Sequence, residues 1–250
     1  MTALGTWIRR LLGSPPISSS HSLIDRADAS RFRRGWKAPA IVARQQAAFD
    51  PLLADLRSGH ARRDFAALAD AVRACGLVNP SIVEVGCATG WNGEVLKRLL
   101  AQEIDYIGVD YSPAMIAAAA RAYPGVKFAI GDASALPFGD AVCDIVVSGT
   151  VLMHVADYES AILESRRVAK RWVVFHTVPV VQRRPTTMLT KRAYGQPVVE
   201  VIFNEGELLE RFRAAQLRVR ETIDSVPYDL EALLGEQTTS RTYLCEKLTH

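Results

Sequence analysis

Residues 82–93 read Ile82-Val83-Glu84-Val85-Gly86-Cys87-Ala88-Thr89-Gly90-Trp91-Asn92-Gly93. The opening apolar run is typical of a buried strand, and apolar residues at helical spacing begin at Val95. Between them, Gly86 and Gly90 lack a Cβ, so the backbone can adopt positive φ and a ligand can approach main-chain N–H groups at the start of the helix. The pattern predicts a strand, a tight turn and a helix that together form a nucleotide-binding cleft.

The glycine spacing in this turn limits which nucleotide fits. A dinucleotide fingerprint G-x-G-x-x-G starting at Gly86 needs a small residue at its third glycine position, where this chain has Trp91. An indole there would separate helix from strand, which argues against an NAD or FAD site. No Gly-Lys-Ser/Thr follows, which argues against a phosphate-binding loop of the Walker type. The remaining pattern is E-x-G-x-A-x-G, or an ordinary strand-to-helix turn that binds nothing.

Three later apolar segments end in polar residues. The segment 106–111 contains Asp110, 20 residues after Gly90, and an acid at that place can accept both hydroxyls of a ribose. The segment 128–133 contains Asp132, and the segment 144–154 ends at His154. Four such strand ends in succession argue for a ligand site and against an ordinary turn.

Over about residues 80 to 178 the chain resembles the class I S-adenosylmethionine-dependent methyltransferases, and most closely their type 11-like group of small-molecule enzymes, which have an L-x-H element after the fourth strand. The resemblance implies S-adenosyl-L-methionine as the cofactor. It places Asp110 at the ribose, Asp132 and Ala133 at the adenine, and the end of the fourth strand near the sulfonium. The implied cofactor-binding residues are Glu84, Gly86, Cys87, Ala88, Gly90, Asp110, Tyr111, Asp132, Ala133, Ser148 and Gly149. Ala88 replaces the usual middle glycine, at little cost if its φ is negative.

Composition and length predict one main catalytic domain with an extension. The chain has 250 residues, of which 49% are hydrophobic and 23% charged, as in globular proteins. Its four cysteines show no C-x-x-C spacing, so we expect reduced core thiols and no metal site. No signal peptide or membrane-spanning stretch is evident, which predicts a cytoplasmic protein.

The N-terminal extension, residues 1–78, carries an excess of basic over acidic residues. Part of that excess lies in 31–37, which either attracts an anionic partner or forms a solvated loop anchored by Phe32 and Trp36. Apolar residues from Leu4 to Leu12 fall on one helical face, which either contacts a membrane surface or, as we favour, packs on protein. A linker should follow at 13–20, and then helices over 39–58 and 62–75.

Residues 79–250 are predicted to form the catalytic domain. Strands alternate with helices, which predicts an α/β fold, a Rossmann-like three-layer sandwich with a mostly parallel seven-stranded sheet. The stretch 179–198 lacks periodicity and follows the predicted fifth strand, residues 171–178, so it is a candidate acceptor lid. Asn204 with Glu207 predicts a capping box for the next helix.

Two histidines are candidate catalytic residues. Methyl transfer is an in-line displacement, and it needs a base only when the acceptor atom carries a proton. His154 follows the fourth strand and His176 lies near the end of the fifth, so both are expected at one rim. The alternative for each is a structural role, as a pocket-shaping residue for His154 and as a buried, hydrogen-bonded histidine for His176. Asp157 and Tyr194 are weaker candidates at the same rim.

The acceptor is narrowed mainly by motifs that the sequence lacks. The fourth strand is not followed by Asn/Asp-Pro-Pro-Tyr/Phe, and no Pro-Cys occurs, so the chain departs from the family's nucleic-acid enzymes of those types. We expect a small-molecule, sugar or lipid-linked acceptor, methylated on oxygen in preference to nitrogen. An RNA methyltransferase that uses the basic extension, and a module that binds the cofactor without turnover, remain as alternatives.

Overall fold

The computed structural model describes residues 21–248. Within them the chain forms a ten-stranded sheet whose strands run in the order β1-β7-β8-β6-β5-β2-β3-β4, while β10 pairs with both β6 and β9. The strands are β1 (Ser22–Ile24), β2 (Ser81–Val85), β3 (Asp105–Asp110), β4 (Lys127–Ile130), β5 (Cys143–Gly149), β6 (Ala169–Val181), β7 (Thr187–Ala193), β8 (Gln196–Asn204), β9 (Leu217–Pro227) and β10 (Thr239–Lys247).

Helices cover both faces of this sheet. They are α1 (Ala40–Arg57), α2 (Arg63–Ala74), α3 (Trp91–Leu100), α4 (Pro113–Ala122), α5 (Tyr158–Val168), α6 (Glu205–Ala214) and α7 (Glu231–Leu234). Ile145 and Val147 of β5 pack in one cluster with α2 and α3, whereas Val146 packs in another with α5 and α6. Because side chains alternate along a strand, the central strands are buried on both faces. The predicted Rossmann-like three-layer arrangement is confirmed.

The sheet has more strands than the seven expected. Strands β2 to β6 run parallel to one another, and β9 and β10 complete the sheet as antiparallel strands. The additional strands are β1, β7 and β8. They join the main sheet because β6 continues to Val181, where its last two residues pair in parallel with Phe203 and Asn204 of β8.

Residues 179–198, expected to be aperiodic, consist largely of strand. Strands β7 and β8 form a hairpin in which Ala193 pairs with Gln196. The two loop residues, Tyr194 and Gly195, have φ of 50° and 81°. Positive φ at both central residues is the signature of the type I′ turn, whose twist matches that of the flanking strands. The prediction of an irregular segment was therefore wrong, because it overlooked this turn.

The N-terminal extension is joined to the hairpin and to the core. Strand β1 pairs with β7, while the side chains of Phe32 and Trp36 pack against separate core clusters, which confirms the anchored-loop interpretation. The helices predicted over 39–58 and 62–75 are α1 and α2. The apolar face from Leu4 to Leu12 and the linker 13–20 lie outside the described residues. The division of the chain at residues 78 and 79 stays a prediction.

Asn204 caps α6 as predicted, since its side chain accepts a hydrogen bond from Glu207 N at 3.1 Å. The reciprocal half of the capping box is absent, because Glu207 Oε2 accepts from Thr186 N and Asn204 N donates to Thr186 Oγ1. The four cysteines are free and buried, as expected. Among residues 21–248 no helix combines the length and apolar character needed to cross a membrane.

Candidate active site

The turn after β2 is tied to the end of β3 by main-chain and carboxylate hydrogen bonds. Gly86 N and Cys87 N donate to Val109 O at 2.7 and 3.0 Å. The Asp110 carboxylate then accepts from Ala88 N at 3.0 Å and from Ser112 N at 2.8 Å. Burial raises the pKa of Asp110, while its backbone N–H donors act in the opposite direction. The carboxylate therefore fixes both segments that were predicted to hold an adenosine.

Three residues of the turn have positive φ. Gly86 and Gly90 adopt 75° and 87°, as predicted for glycine, but Ala88 adopts 50°. The low cost of alanine at this position required a negative φ, so that condition is not met. A Cβ in the left-handed region costs about 1–2 kcal/mol, and Asp110 helps to hold the strained residue by accepting from its N–H.

Glu84 supports the turn from within the protein. Its side chain is buried and accepts hydrogen bonds from Tyr106 Oη and, at 2.6 Å, from Asn92 Nδ2. Burial raises its pKa to about 7, against the effect of both donors. A Cβ on Gly149 would overlap Glu84 Oε1, so glycine is required where β5 passes this carboxylate. Tyr106 and Asn92 were not foreseen, because neither carries a recognisable motif.

Asp132 and Tyr111 are contacted by the N-terminal extension. Asp132 Oδ1 accepts from Ser134 N at 3.0 Å and Oδ2 pairs with the Arg33 guanidinium. Burial of Asp132 raises its pKa, but the donors of Ser134 and the charge of Arg33 outweigh this and leave the pKa lowered. Tyr111 Oη donates to the backbone carbonyl of Arg33, and the Lys37 ammonium lies 4.8 Å from the Tyr111 ring centroid. Residues 33–37 therefore lie against two of the predicted cofactor-binding side chains.

The end of β5 lies beside the turn. Ser148 is buried, as is Ala133 after β4. Beyond Gly149, the Val151 side chain occupies the space over Gly86, where an added Cβ would lie 2.5 Å from Val151 Cβ. The end of β5 therefore packs directly against the turn at Gly86.

His154 ends the 3-10 helix Leu152–His154 and is half-buried. Its Nδ1 lies 2.8 Å from Val199 O. Because a carbonyl oxygen can only accept, Nδ1 carries the proton and Nε2 keeps its lone pair. Burial and the Lys191 ammonium lower the pKa of His154 to about 4, although Glu200 acts in the opposite sense. The imidazole is therefore neutral at pH 7, as a proton acceptor must be.

Trp36 of the N-terminal extension packs beside His154 and also contacts Tyr194 of the β7–β8 turn. The Trp36 ring centroid lies 4.8 Å from that of His154 and 6.2 Å from that of Tyr194. Trp36 and Tyr194 also pack against the cluster that contains Ala88. The surroundings of His154 are thus connected to the turn after β2.

His176 lies in β6 and is 3% exposed. Its Nδ1 is 2.9 Å from Thr242 Oγ1, and Thr242 Oγ1 is 2.8 Å from Ser225 Oγ. Burial lowers the pKa of His176 to about 4. These contacts match the buried, hydrogen-bonded alternative, whereas His154 is the histidine beside the aromatic residues.

The described residues fit an adenosine cofactor. Each carboxylate oxygen of Asp110 accepts one backbone N–H and has a second lone pair for a ribose hydroxyl. The space left by the missing Cβ atoms of Gly86 and Gly149 is filled by the side chains of Val151 and Glu84. The turn is therefore closely packed.

Comparisons with known proteins identify the family of this chain. A family model described as a methyltransferase domain matches residues 83–175. A ubiquinone/menaquinone biosynthesis C-methyltransferase from Caulobacter vibrioides is 31% identical over 189 residues, covering 70% of this chain and 73% of that protein. A probable S-adenosylmethionine-dependent methyltransferase from Mycolicibacterium smegmatis is 28% identical over 57% of this chain, and the match spans about half of that relative, 53%.

Solved structures show the same fold. The 1,6-didemethyltoxoflavin-N1-methyltransferase of Burkholderia thailandensis, solved with S-adenosylhomocysteine bound, superposes with a TM-score of 0.58 at 16% identity and covers 94% of this chain and 99% of that one. With the sequence match to the Caulobacter enzyme over most of both chains, the family is established: the chain belongs to the S-adenosylmethionine-dependent methyltransferases of class I.

Proposed function

We propose that this protein transfers a methyl group from S-adenosyl-L-methionine to a small-molecule, sugar or lipid-linked acceptor, and to oxygen in preference to nitrogen. The observation that carries the proposal is the Asp110 carboxylate, which accepts from Ala88 N and so joins the glycine turn to the acidic end of β3. A ligand that spans both segments would contact the two together.

The residues that would hold the cofactor follow from their positions. Asp110 and Tyr111 would bind the ribose, while Asp132 and Ala133 would meet the adenine. Glu84, Gly86, Cys87, Ala88 and Gly90 would shape the turn, with Ser148 and Gly149 on the opposite wall. When bound, the cofactor supplies an activated methyl group.

His154 is proposed as the general base of the reaction. Its neutral imidazole is oriented by the bond from Nδ1 to Val199 O, which leaves Nε2 to take a proton from an acceptor hydroxyl. The oxygen preference rests on this geometry, because the similar proteins include carbon, oxygen and nitrogen methyltransferases. His176 is proposed to have a positioning role, since its ring is buried and bonded to Thr242.

The contacts of the basic segment give less support to an RNA acceptor. Arg33 pairs with Asp132, Arg31 with Asp28 at 3.1 Å, and Lys37 lies over the Tyr111 ring. These cations are already engaged within the chain. A cytoplasmic location is proposed with the function, because all four cysteines are free thiols.

Calorimetric titration tests the proposal directly. The protein should bind S-adenosylmethionine and S-adenosylhomocysteine and should not bind NAD, whose fingerprint Trp91 interrupts. Tight NAD binding, or no binding of either adenosyl compound by the folded protein, would refute it. Incubating a panel of hydroxylated acceptors with the cofactor, followed by mass spectrometry for the gain of one methylene, then identifies the acceptor class.

A further inference from the structure

Two threonines, one directly after β5 and one within β6, have an unfavourable backbone conformation. Thr150 and Thr177 adopt φ of 58° and 57°. A β-branched residue is a rare outlier in the left-handed region, and each costs about 1–2 kcal/mol there. Their Oγ1 atoms lie 2.9 Å apart, within hydrogen-bond distance. Such strain persists only where surrounding structure enforces it, and it concentrates at functional sites.

The pair lies beside the turn after β2. Thr150 follows β5, between Gly149, which passes Glu84, and Val151, which covers Gly86. Since residues 149 and 151 both pack on the turn region, the intervening Thr150 is left exposed at the carboxyl end of β5. Ligands of open parallel sheets bind at this edge, where the strand order reverses, here between β2 and β5.

A β-bulge in β6 places Thr177 beside Thr150. In the pairing with β10, Phe175 is opposite Tyr243 and Val178 is opposite Arg241, so His176 and Thr177 together face Thr242. Bulges redirect side chains and are frequent next to active sites. The hydrogen bond between His176 Nδ1 and Thr242 Oγ1 holds the bulge in place from the buried side.

A purely structural tie between β5 and β6 does not account for the strain. The two strands are already paired up to Gly149 and His176, immediately before the threonines. A single hydrogen bond between exposed hydroxyls contributes about 0.5–1.5 kcal/mol, less than the combined cost of two left-handed threonines.

We propose that the Thr150 and Thr177 hydroxyls bind the amino-acid end of S-adenosylmethionine, an inference that rests on the proposed function. In the pair one hydroxyl donates to the other, which leaves one O–H free to donate and lone pairs free to accept. An α-amino acid presents a carboxylate and an ammonium, so it needs both a donor and an acceptor.

The test compares two ligands that differ only at this end. S-adenosylhomocysteine carries the amino acid, whereas 5′-methylthioadenosine has the same adenosine without it. By calorimetry, Thr150→Val should weaken S-adenosylhomocysteine binding by about tenfold or more, the effect of a lost hydrogen bond to a charged group. Binding of 5′-methylthioadenosine should be unchanged, and Thr177→Val should behave in the same way.

A second variant separates binding from folding. Thr150→Gly removes the hydroxyl and the strain together, so it should melt no lower than the wild type while losing the same affinity for S-adenosylhomocysteine. Thr222→Val, at an exposed position of the edge strand β9, is the matched control and should bind both ligands normally.

The inference would be overturned if the wild type and all three site variants bound S-adenosylhomocysteine equally well. It would also be overturned if the variants lost the same affinity for S-adenosylhomocysteine and for 5′-methylthioadenosine. Failure of the wild type to bind either ligand would instead refute the proposed function. The two failures are therefore distinguishable.

Discussion

The proposed cofactor side and the proposed acceptor side of this site are built in different ways. On the cofactor side, the turn after β2 and the ends of β3 and β4 follow one another along the chain. Backbone N–H groups and carboxylates make the main contacts there, as between Ala88 N and Asp110. On the acceptor side, His154 packs beside Trp36 and is bonded to Val199 O, and Trp36 in turn contacts Tyr194. The N-terminal extension and the β7–β8 hairpin thus meet at His154, far from it in the chain.

The electrostatics of the two sides differ as well. Burial raises the pKa of Glu84 to about 7 and lowers the pKa of His154 to about 4, because it disfavours the charged form of each group. On the cofactor side, hydrogen-bond donors act against this effect of burial: Tyr106 donates to Glu84, and Ala88 N donates to Asp110. The acceptor side keeps its histidine neutral. The first arrangement suits binding and the second suits proton transfer.

The largest effect should come from the acceptor side. His154→Ala is expected to lower kcat by about 10²–10⁴-fold with cofactor affinity preserved, because only the proton acceptor is removed. The wild-type rate should be level from about pH 5 upward and fall as the pH drops toward the His154 pKa of about 4. His60→Ala, at an exposed histidine outside the site, is the control. A loss below about tenfold would favour a pocket-shaping role.

The cofactor side should show the converse pattern. Asp110→Ala is expected to weaken S-adenosylmethionine binding by about 1.5–3 kcal/mol, because the ribose hydroxyls lose a charged acceptor. Calorimetry measures this loss, with Asp105→Ala at the exposed start of β3 as the matched control. Unchanged affinity in a folded Asp110 variant would remove this residue from the site.

The pH dependence of the free energy of unfolding should distinguish the buried His176 from the buried Glu84. His176 has a folded pKa of about 4, below its unfolded value, so the unfolded chain binds more protons and stability is lost as the pH falls through this window. Glu84, with a folded pKa of about 7, has the opposite effect: its contribution to the stability of the protein is lost as the pH rises toward 7. Relative to wild type, His176→Gln should lose about 1–3 kcal/mol less between pH 7 and pH 4 in denaturant titrations. Identical pH profiles would contradict the buried neutral histidine.

The contact between the extension and the cofactor side should have a smaller effect. Arg33 occupies Asp132 Oδ2, the carboxylate proposed for adenine, so Arg33→Gln should raise S-adenosylmethionine affinity by about two- to fivefold, the scale of an exposed ion pair. Arg31→Gln, whose partner is Asp28, should leave affinity unchanged. Weaker binding in the Arg33 variant would show that the extension holds the cofactor.

The smallest effect is expected at the turn. Ala88→Gly should raise the free energy of unfolding by up to about 1 kcal/mol, because relief of left-handed strain exceeds the added entropy of the unfolded chain. Thermal denaturation measures it, and Ala66→Gly, at the fourth residue of helix α2, should instead destabilise. A clear loss of stability in Ala88→Gly would mean that contacts of the Ala88 methyl outweigh the strain.

The sequence by itself determined the positions of the cofactor-side segments. Gly86, Gly90, Asp110 and Asp132 were identifiable because parallel βαβ units bring successive strand ends to one edge of the sheet. Helix α1 and the cap at Asn204 were also predictable, because local spacing and local hydrogen bonds decide them.

Only the tertiary structure decided the rest. The β7–β8 hairpin, the contact of Trp36 with His154 and the pairing of Arg33 with Asp132 join residues that are far apart in the chain, and no local pattern encodes such contacts. The left-handed φ of Ala88, Thr150 and Thr177 depends on bulges and neighbouring side chains that enforce it. The pKa values of Glu84 and His154 depend on burial, which exists only once the layers have packed.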